Sequence, residues 1–218
     1  MLLAQDVLAE VLAQFDREIE FAVLRNYECL PARWENDVDI LVSASDFSRA
    51  RQVVRTLMLR SSAGASVLEL RRYKFAGYKL QCADRLLQVD LYADLTKAWI
   101  RLADPAVVLG ARRHLRESLW VPRQDHEVLL VAAKELLTYH HIREKYHGLL
   151  GITEGQITQR DVSGLLGSAF SSSGQEALLT ALQGSSKSIR PRLRASAVLR
   201  LWRALHWFTL RWRGWRAL

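Results

Sequence analysis

The sequence predicts an α+β fold, in which a strand-rich first part is followed by a helical module. Strand-like apolar runs cluster between residues 20 and 92, whereas helical periodicity dominates from residue 125 onward. The 218 residues, half of them hydrophobic, are enough to bury a substantial core. We therefore expect a first domain over 1–122, a helical module over 123–186 and a basic terminal helix over 187–218.

The chain opens with an amphipathic helix, since its apolar residues recur every three to four positions. They are Leu3, Val7, Leu8, Val11, Leu12 and Phe15. Acidic side chains between them argue against a secretory signal peptide, and the sequence contains no apolar run of about 18 residues that would cross a membrane. With Cys29 and Cys82 as the two cysteines of the chain, we expect a cytoplasmic protein.

Five strands and one helix are expected in the rest of the first domain. Residues 20–24 and 37–42 are the first two strands, joined by a loop over 25–36. A helix over Phe47–Leu59 follows, capped by Ser45 or Asp46. The runs 67–73, 76–82 and 86–92 are separated by short spacings and predict an antiparallel meander.

The remainder of the chain predicts mostly helices. Residues 99–121 have a mixed pattern that fits a helix followed by a strand. A single long helix, capped by Asp125, is expected to reach about Leu150, where Gly148 and Gly151 end it. Residues 152–186 fit one or two weaker helices with a flexible connection over 171–174.

Three aspartates are the candidate functional residues of this sequence. Asp37 and Asp39 alternate with apolar residues on a strand, so they point the same way and lie about 6–7 Å apart along it. Asp90 lies between Val89 and Leu91 on a later strand. Such a set could hold two divalent ions, for which magnesium is well suited and manganese is an alternative. The competing interpretation is a solvated polar strand face.

The order and spacing of these acids resemble those of the DNA polymerase β-like nucleotidyltransferase superfamily. More narrowly, residues 22–31 (AVLRNYECLP) leading into 37–42 (DVDILV) are similar to nucleotidyltransferase-like proteins of bacterial polysaccharide and capsule gene clusters. The resemblance covers about residues 1–150. It implies a short mixed sheet flanked by helices, and transfer of a nucleoside monophosphate from an NTP to an acceptor hydroxyl, in surface-polysaccharide biosynthesis.

The resemblance also implies roles for individual residues. Asp37 and Asp39 would hold both metal ions, and Asp90 would complete one of them and act as general base. Lys145 and Tyr146 would contact the nucleotide, as a Lys-Tyr pair does in related proteins.

One position departs from the superfamily, which usually has Gly-Gly or Gly-Ser where this chain has Arg25-Asn26. Arg25 could supply a cation to the phosphates, and Asn26 tolerates the left-handed backbone that such turns favour. The alternative is a catalytically degenerate binding or regulatory module. An antitoxin-type or antibiotic-modifying enzyme is a further alternative, disfavoured by the missing Gly-Ser turn.

The positive charge of the chain is concentrated at its end. Residues 187–218 contain nine basic residues and no acidic one, so the formal net charge of +8 does not indicate a nucleic-acid-binding core. Residues 195–218 place tryptophans and leucines opposite arginines on a predicted helix. This pattern fits an anionic membrane surface at the inner membrane face, or docking on the body or on a partner subunit. Nucleic-acid binding is a less favoured third alternative.

Overall fold

The computed structural model describes residues 3–34, 36–62, 66–97, 100–139, 142–151, 156–167, 169–182 and 216–217. The chain divides into two compact units by its internal contacts. The first comprises Met1–Asp94, Leu109–Pro122 and Trp212–Leu218, and the second comprises Leu95–Val108 and Arg123–Arg211. The fold contains both helices and a mixed sheet, so the predicted α+β class is confirmed.

A mixed sheet organises the first unit. Its strands are β1 (Phe21–Val23), β2 (Val38–Val42), β3 (Val67–Arg72), β4 (Phe75–Gln81), β5 (Leu86–Tyr92) and the two-residue β10 (Arg216–Ala217). They lie in the order β1-β2-β5-β4-β3-β10. The predicted antiparallel meander β3–β4–β5 is confirmed. Beyond that prediction, β5 pairs in parallel with β2, while β1 pairs antiparallel with β2.

Two helices, α1 (Ala4–Glu18) and α2 (Phe47–Ser61), pack with the sheet in one hydrophobic core. Side chains alternate along each strand. Ile40 of β2, Leu91 of β5 and Tyr78 of β4 therefore belong to this core, together with Phe15 of α1. Leu3 was expected in the buried stripe of the first helix, but it precedes α1 and is 42% exposed.

Ser45 or Asp46 was expected to cap α2. Asp46 occupies the N-cap position, but its side chain accepts no hydrogen bond from the first turn of the helix. Its Oδ2 instead accepts hydrogen bonds from the Glu20 backbone N–H and the Ser43 hydroxyl. The carboxylate thereby ties the start of α2 to the segment that enters β1.

A hairpin of β8 (Arg113–Arg116) and β9 (Leu119–Val121) completes the described part of the first unit. Leu119 and Val121 join the core. Arg116 donates hydrogen bonds to the carbonyls of Tyr27 and Glu28, at 2.9 and 2.7 Å. The hairpin therefore anchors the loop that follows β1.

The second unit is mainly helical. Its strands are β6 (Leu95–Lys97) and β7 (Ile100–Ala103), and α3 (Pro105–Gly110) crosses the boundary between the units. Its other elements are α4 (Gln124–Tyr139), a 3₁₀ turn (Glu144–Tyr146), α5 (His147–Gly151), α6 (Gln159–Leu166) and α7 (Ser172–Leu182). The mixed pattern of 99–121 thus corresponds to β7, α3 and the β8–β9 hairpin rather than to one helix and one strand.

The single helix expected from Asp125 to Leu150 was wrong. Helix α4 ends at Tyr139, and Arg143 forms a two-pronged ion pair with the buried carboxylate of Glu135, at 2.5 and 2.7 Å. A continuous helix would separate these residues by about 12 Å along its axis, so the chain has to leave the helix for this pair to form. Asp125 lies inside the helix and pairs with Arg123 instead of capping it.

Two further predictions concern the end of the chain. The connection expected at 171–174 is wrong, because Ser172–Gly174 form the first turn of α7. The Trp/Arg-rich helix expected over 187–218 lies outside the described residues, except for Arg216 and Ala217, which form β10. Within the described ranges, no helix is both long enough and apolar enough to cross a membrane.

Candidate functional site

The sheet topology brings the three predicted carboxylates together. Because β2 and β5 run parallel as neighbours, with Asp39 in register with Asp90, both side chains project from the same face of the sheet. Asp37 immediately precedes β2, two residues before Asp39. One carboxylate oxygen of each residue lies within 4.8 Å of those of the other two. This face is opposite to the one that α1 and α2 cover.

The cluster is partly withdrawn from water. Asp39 and Asp90 are buried, whereas the side chain of Asp37 is 27% exposed. Burial, followed by the negative charges of Asp39 and Asp37, raises the pKa of Asp90 to about 6, although a hydrogen bond from Gln88 Nε2 at 3.2 Å opposes the rise. The Asp90 carboxylate is therefore destabilised near neutral pH unless positive charge is supplied.

Asp39 has one paired and one unpaired oxygen. Arg25 Nε donates to its Oδ2 at 2.5 Å, and a terminal guanidinium nitrogen lies 4.0 Å from Asp37 Oδ2. Burial, followed by the negative charges of Asp39 and Asp90, raises the pKa of Tyr92, so this neighbour of the cluster keeps its proton. In contrast, Asp39 Oδ1 is buried and has no hydrogen-bond partner among the described residues.

The unpaired Asp39 oxygen is suited to coordinate a cation. A buried carboxylate oxygen without a donor is costly, and a divalent cation would satisfy it. Carboxylate oxygens are the ligands that magnesium prefers. Asp37, Asp39 and Asp90 could therefore hold such an ion, and the donor set contains no sulfur or imidazole that would favour a softer metal.

The Arg25-Asn26 turn lies next to these acids. The Leu24 N–H donates to the Asp39 carbonyl at 2.9 Å, which continues the β1–β2 ladder and places Arg25 beside the cluster. Asn26 has a φ of 55°, in the left-handed region that asparagine tolerates better than most residues. The structure thus brings five of the predicted site residues together, with Asp90 of β5 beside the end of β1 and β2 that holds Arg25, Asn26, Asp37 and Asp39.

The other two predicted residues lie in the second unit. Tyr146 is buried there, in the 3₁₀ turn, and Lys145 is exposed with its Nζ 4.9 Å from the Tyr146 ring centroid. Their predicted contact with a nucleotide remains a prediction.

No family model, curated protein or solved structure matches this chain.

Sequence reasoning missed three polar neighbours of the acids. Gln88 and Tyr92 flank Asp90 at i−2 and i+2 on β5, and Lys79 pairs in register with Gln88 from β4. The positive charge of Lys79 acts to lower the pKa of Asp90. The signal for Gln88 and Tyr92 is present in the sequence, because residues two apart on a strand share a face. Identifying Lys79 as a neighbour of Asp90 required the β4–β5 register, which cannot be read from the sequence.

Proposed function

We propose that the first unit is a magnesium-dependent nucleotidyltransferase domain with the fold of the DNA polymerase β-like superfamily. The observation that carries the proposal is the convergence of Asp37, Asp39 and Asp90 on one sheet face, with a buried Asp39 oxygen that has no partner within the described part of the chain. The reaction would transfer a nucleoside monophosphate from an NTP to an acceptor hydroxyl. The acceptor class, a surface-polysaccharide precursor at the inner membrane face, rests on the sequence resemblance alone.

The chemistry assigns a task to each group. When bound, the metal ions would neutralise charge on the phosphates and on the departing pyrophosphate. Asp37 and Asp39 would hold them. The acceptor oxygen forms a bond to the α-phosphorus as the bond from that phosphorus to the pyrophosphate oxygen breaks, and Asp90 accepts the hydroxyl proton. Arg25 holds Oδ2 of the Asp39 carboxylate through its Nε–H.

One observation favours a second candidate function. The Arg25 guanidinium already places positive charge on the Asp39 carboxylate, at 2.5 Å. If this ion pair is permanent, the domain is a binding or regulatory module that uses neither metal nor NTP.

Calorimetric titration with non-hydrolysable ATP, CTP, GTP and UTP analogues, each with and without magnesium, distinguishes the two functions. We expect magnesium-dependent binding of at least one analogue to the wild type and loss of that binding in Asp39→Asn. Asp6→Asn is the matched control, since Asp6 is exposed in the first turn of α1 and the substitution removes the same charge. The enzyme proposal is refuted if no nucleotide binds, or if Asp39→Asn binds as well as the wild type.

A further inference from the structure

The side chain of Arg25 is bound to the carboxylates that the proposed metal would need. Its Nε donates to Asp39 Oδ2 at 2.5 Å, and a terminal nitrogen lies 4.0 Å from Asp37 Oδ2. The Arg25 and Asp39 side chains are 17% and 5% exposed, so water screens this pair only weakly. Arg25 is thus an internal counter-ion of the metal-free cluster.

A divalent cation bound through Asp39 Oδ1 and the other two carboxylates would be repelled by the guanidinium on Oδ2 of the same carboxylate. Arginine stays protonated in proteins, so Arg25 cannot relieve the repulsion by losing its proton. We expect its side chain to move away when a cation binds. The main chain can stay in place meanwhile, because the Leu24 N–H is bonded to the Asp39 carbonyl and Arg116 holds the carbonyls of Tyr27 and Glu28.

A displaced guanidinium next to a metal site is well suited to a phosphate group. Its planar array of donors matches phosphate oxygens and binds them in pairs. A phosphate chain that enters with the metal would provide the negative charge that the displaced Arg25 guanidinium needs.

We propose that Arg25 is an exchangeable counter-ion, which leaves Asp39 when a divalent cation binds and then binds the phosphates of the ligand that accompanies the cation. This inference rests on the proposed function and adds a ligand preference to it. The site takes the metal–phosphate complex in preference to the free metal, because the free metal has to displace Arg25 without providing a new partner for it.

Calorimetry on four forms of the full chain tests the exchange. With magnesium chloride alone, we expect Arg25→Gln to bind magnesium about tenfold more tightly than the wild type, the size of effect expected from one charge-assisted hydrogen bond. Arg25→Lys, which keeps the charge but loses the planar donor array, should lie between them. Arg33→Gln removes an equal charge from an exposed position of the same loop and should match the wild type. With the magnesium complex of the best-binding NTP analogue, the order should reverse, with Arg25→Gln about tenfold weaker.

A second measurement follows Arg25 directly. The Nε–H signal of Arg25 in a ¹⁵N-correlated NMR spectrum, assigned by its absence in Arg25→Lys, should shift on saturation with magnesium and shift again on addition of the nucleotide analogue. The exchange is refuted if that signal does not change, or if Arg25→Gln binds free magnesium no more tightly than the wild type. If Asp39→Asn abolishes binding while Arg25→Gln matches the wild type, only the exchange fails. If no form binds magnesium or nucleotide, the proposed function fails as well.

Discussion

Neutralising Asp90 should stabilise the metal-free protein. The Asp90→Asn substitution removes a buried charge that lies beside Asp39 and Asp37 and keeps the Oδ1 atom that accepts a hydrogen bond from Gln88. In the folded protein the pKa of Asp90 is raised to about 6 from an ordinary value of 3.8. At about 1.4 kcal/mol per pKa unit, the ionised carboxylate costs about 3 kcal/mol of folding free energy at pH 8.

The pH dependence of this difference has a defined sign. Because the folded pKa of Asp90 lies above the unfolded one, the folded state binds the extra proton between pH 4 and pH 6. The contribution of Asp90 to the free energy of unfolding therefore falls as pH rises through this window and is constant above it. Relative to the wild type, we expect Asp90→Asn to be more stable by about 3 kcal/mol at pH 8 and by about 1 kcal/mol at pH 4.5.

Urea unfolding followed by circular dichroism in EDTA, at several pH values between 4.5 and 8, measures the difference. Glu10→Gln is the control, since it removes one charge from the exposed face of α1 and should stay within about 0.5 kcal/mol of the wild type throughout. Added magnesium should reduce or reverse the difference in free energy of unfolding between Asp90→Asn and the wild type. A ligand that binds only the folded wild-type site stabilises the wild type. The argument fails if metal-free Asp90→Asn is no more stable than the wild type at pH 8.

Two other substitutions probe the supporting structure. Glu69→Gln should cost about 1–3 kcal/mol at pH 7, because the buried carboxylate accepts hydrogen bonds from Arg71 and Tyr78 at 2.7 and 2.8 Å. Burial alone would raise the pKa of Glu69, but these bonds and the charges of Arg71 and Arg51 lower it. The loss of stability in Glu69→Gln should therefore shrink as pH falls through the Glu69 pKa. A loss of stability that does not change with pH would refute the pairing. Thr158→Ala should destabilise α6 by about 1 kcal/mol, detectable as faster hydrogen exchange over Gln159–Leu166, because Thr158 and Asp161 form a reciprocal capping box.

The sequence predicts the elements of the first unit better than their arrangement. Short strand-like apolar runs located β1 to β5, and short loops were sufficient to predict the β3–β5 meander. The parallel pairing of β2 with β5 was not predictable in this way, because its partners are some 50 positions apart and no local signal sets their register. That pairing is what brings Asp39 beside Asp90.

Side-chain pairing was the second feature that sequence reasoning missed. Arg25 was expected to serve phosphates, which stays a prediction, and its ion pair with Asp39 was not foreseen. Likewise, the helical periodicity that predicted one helix to Leu150 gave no indication that Arg143 would pair with Glu135. Ion pairs of this kind depend on the three-dimensional path of the chain, whereas periodicity reports only which face of an element is apolar.

Charge balance at the site favours a cationic ligand over a permanently neutralised cluster. Arg25 acts on Asp39 and Asp37, and Lys79 acts on Asp90 through its charge. Within the described residues these two side chains bring two positive charges to three carboxylates, and the pKa of Asp90 is still raised to about 6. Asp39 Oδ1 also has no hydrogen-bond partner in that part of the chain. A purely structural counter-ion would leave both of these costs in place, whereas a divalent cation would offset both, and this supports the proposed cation site.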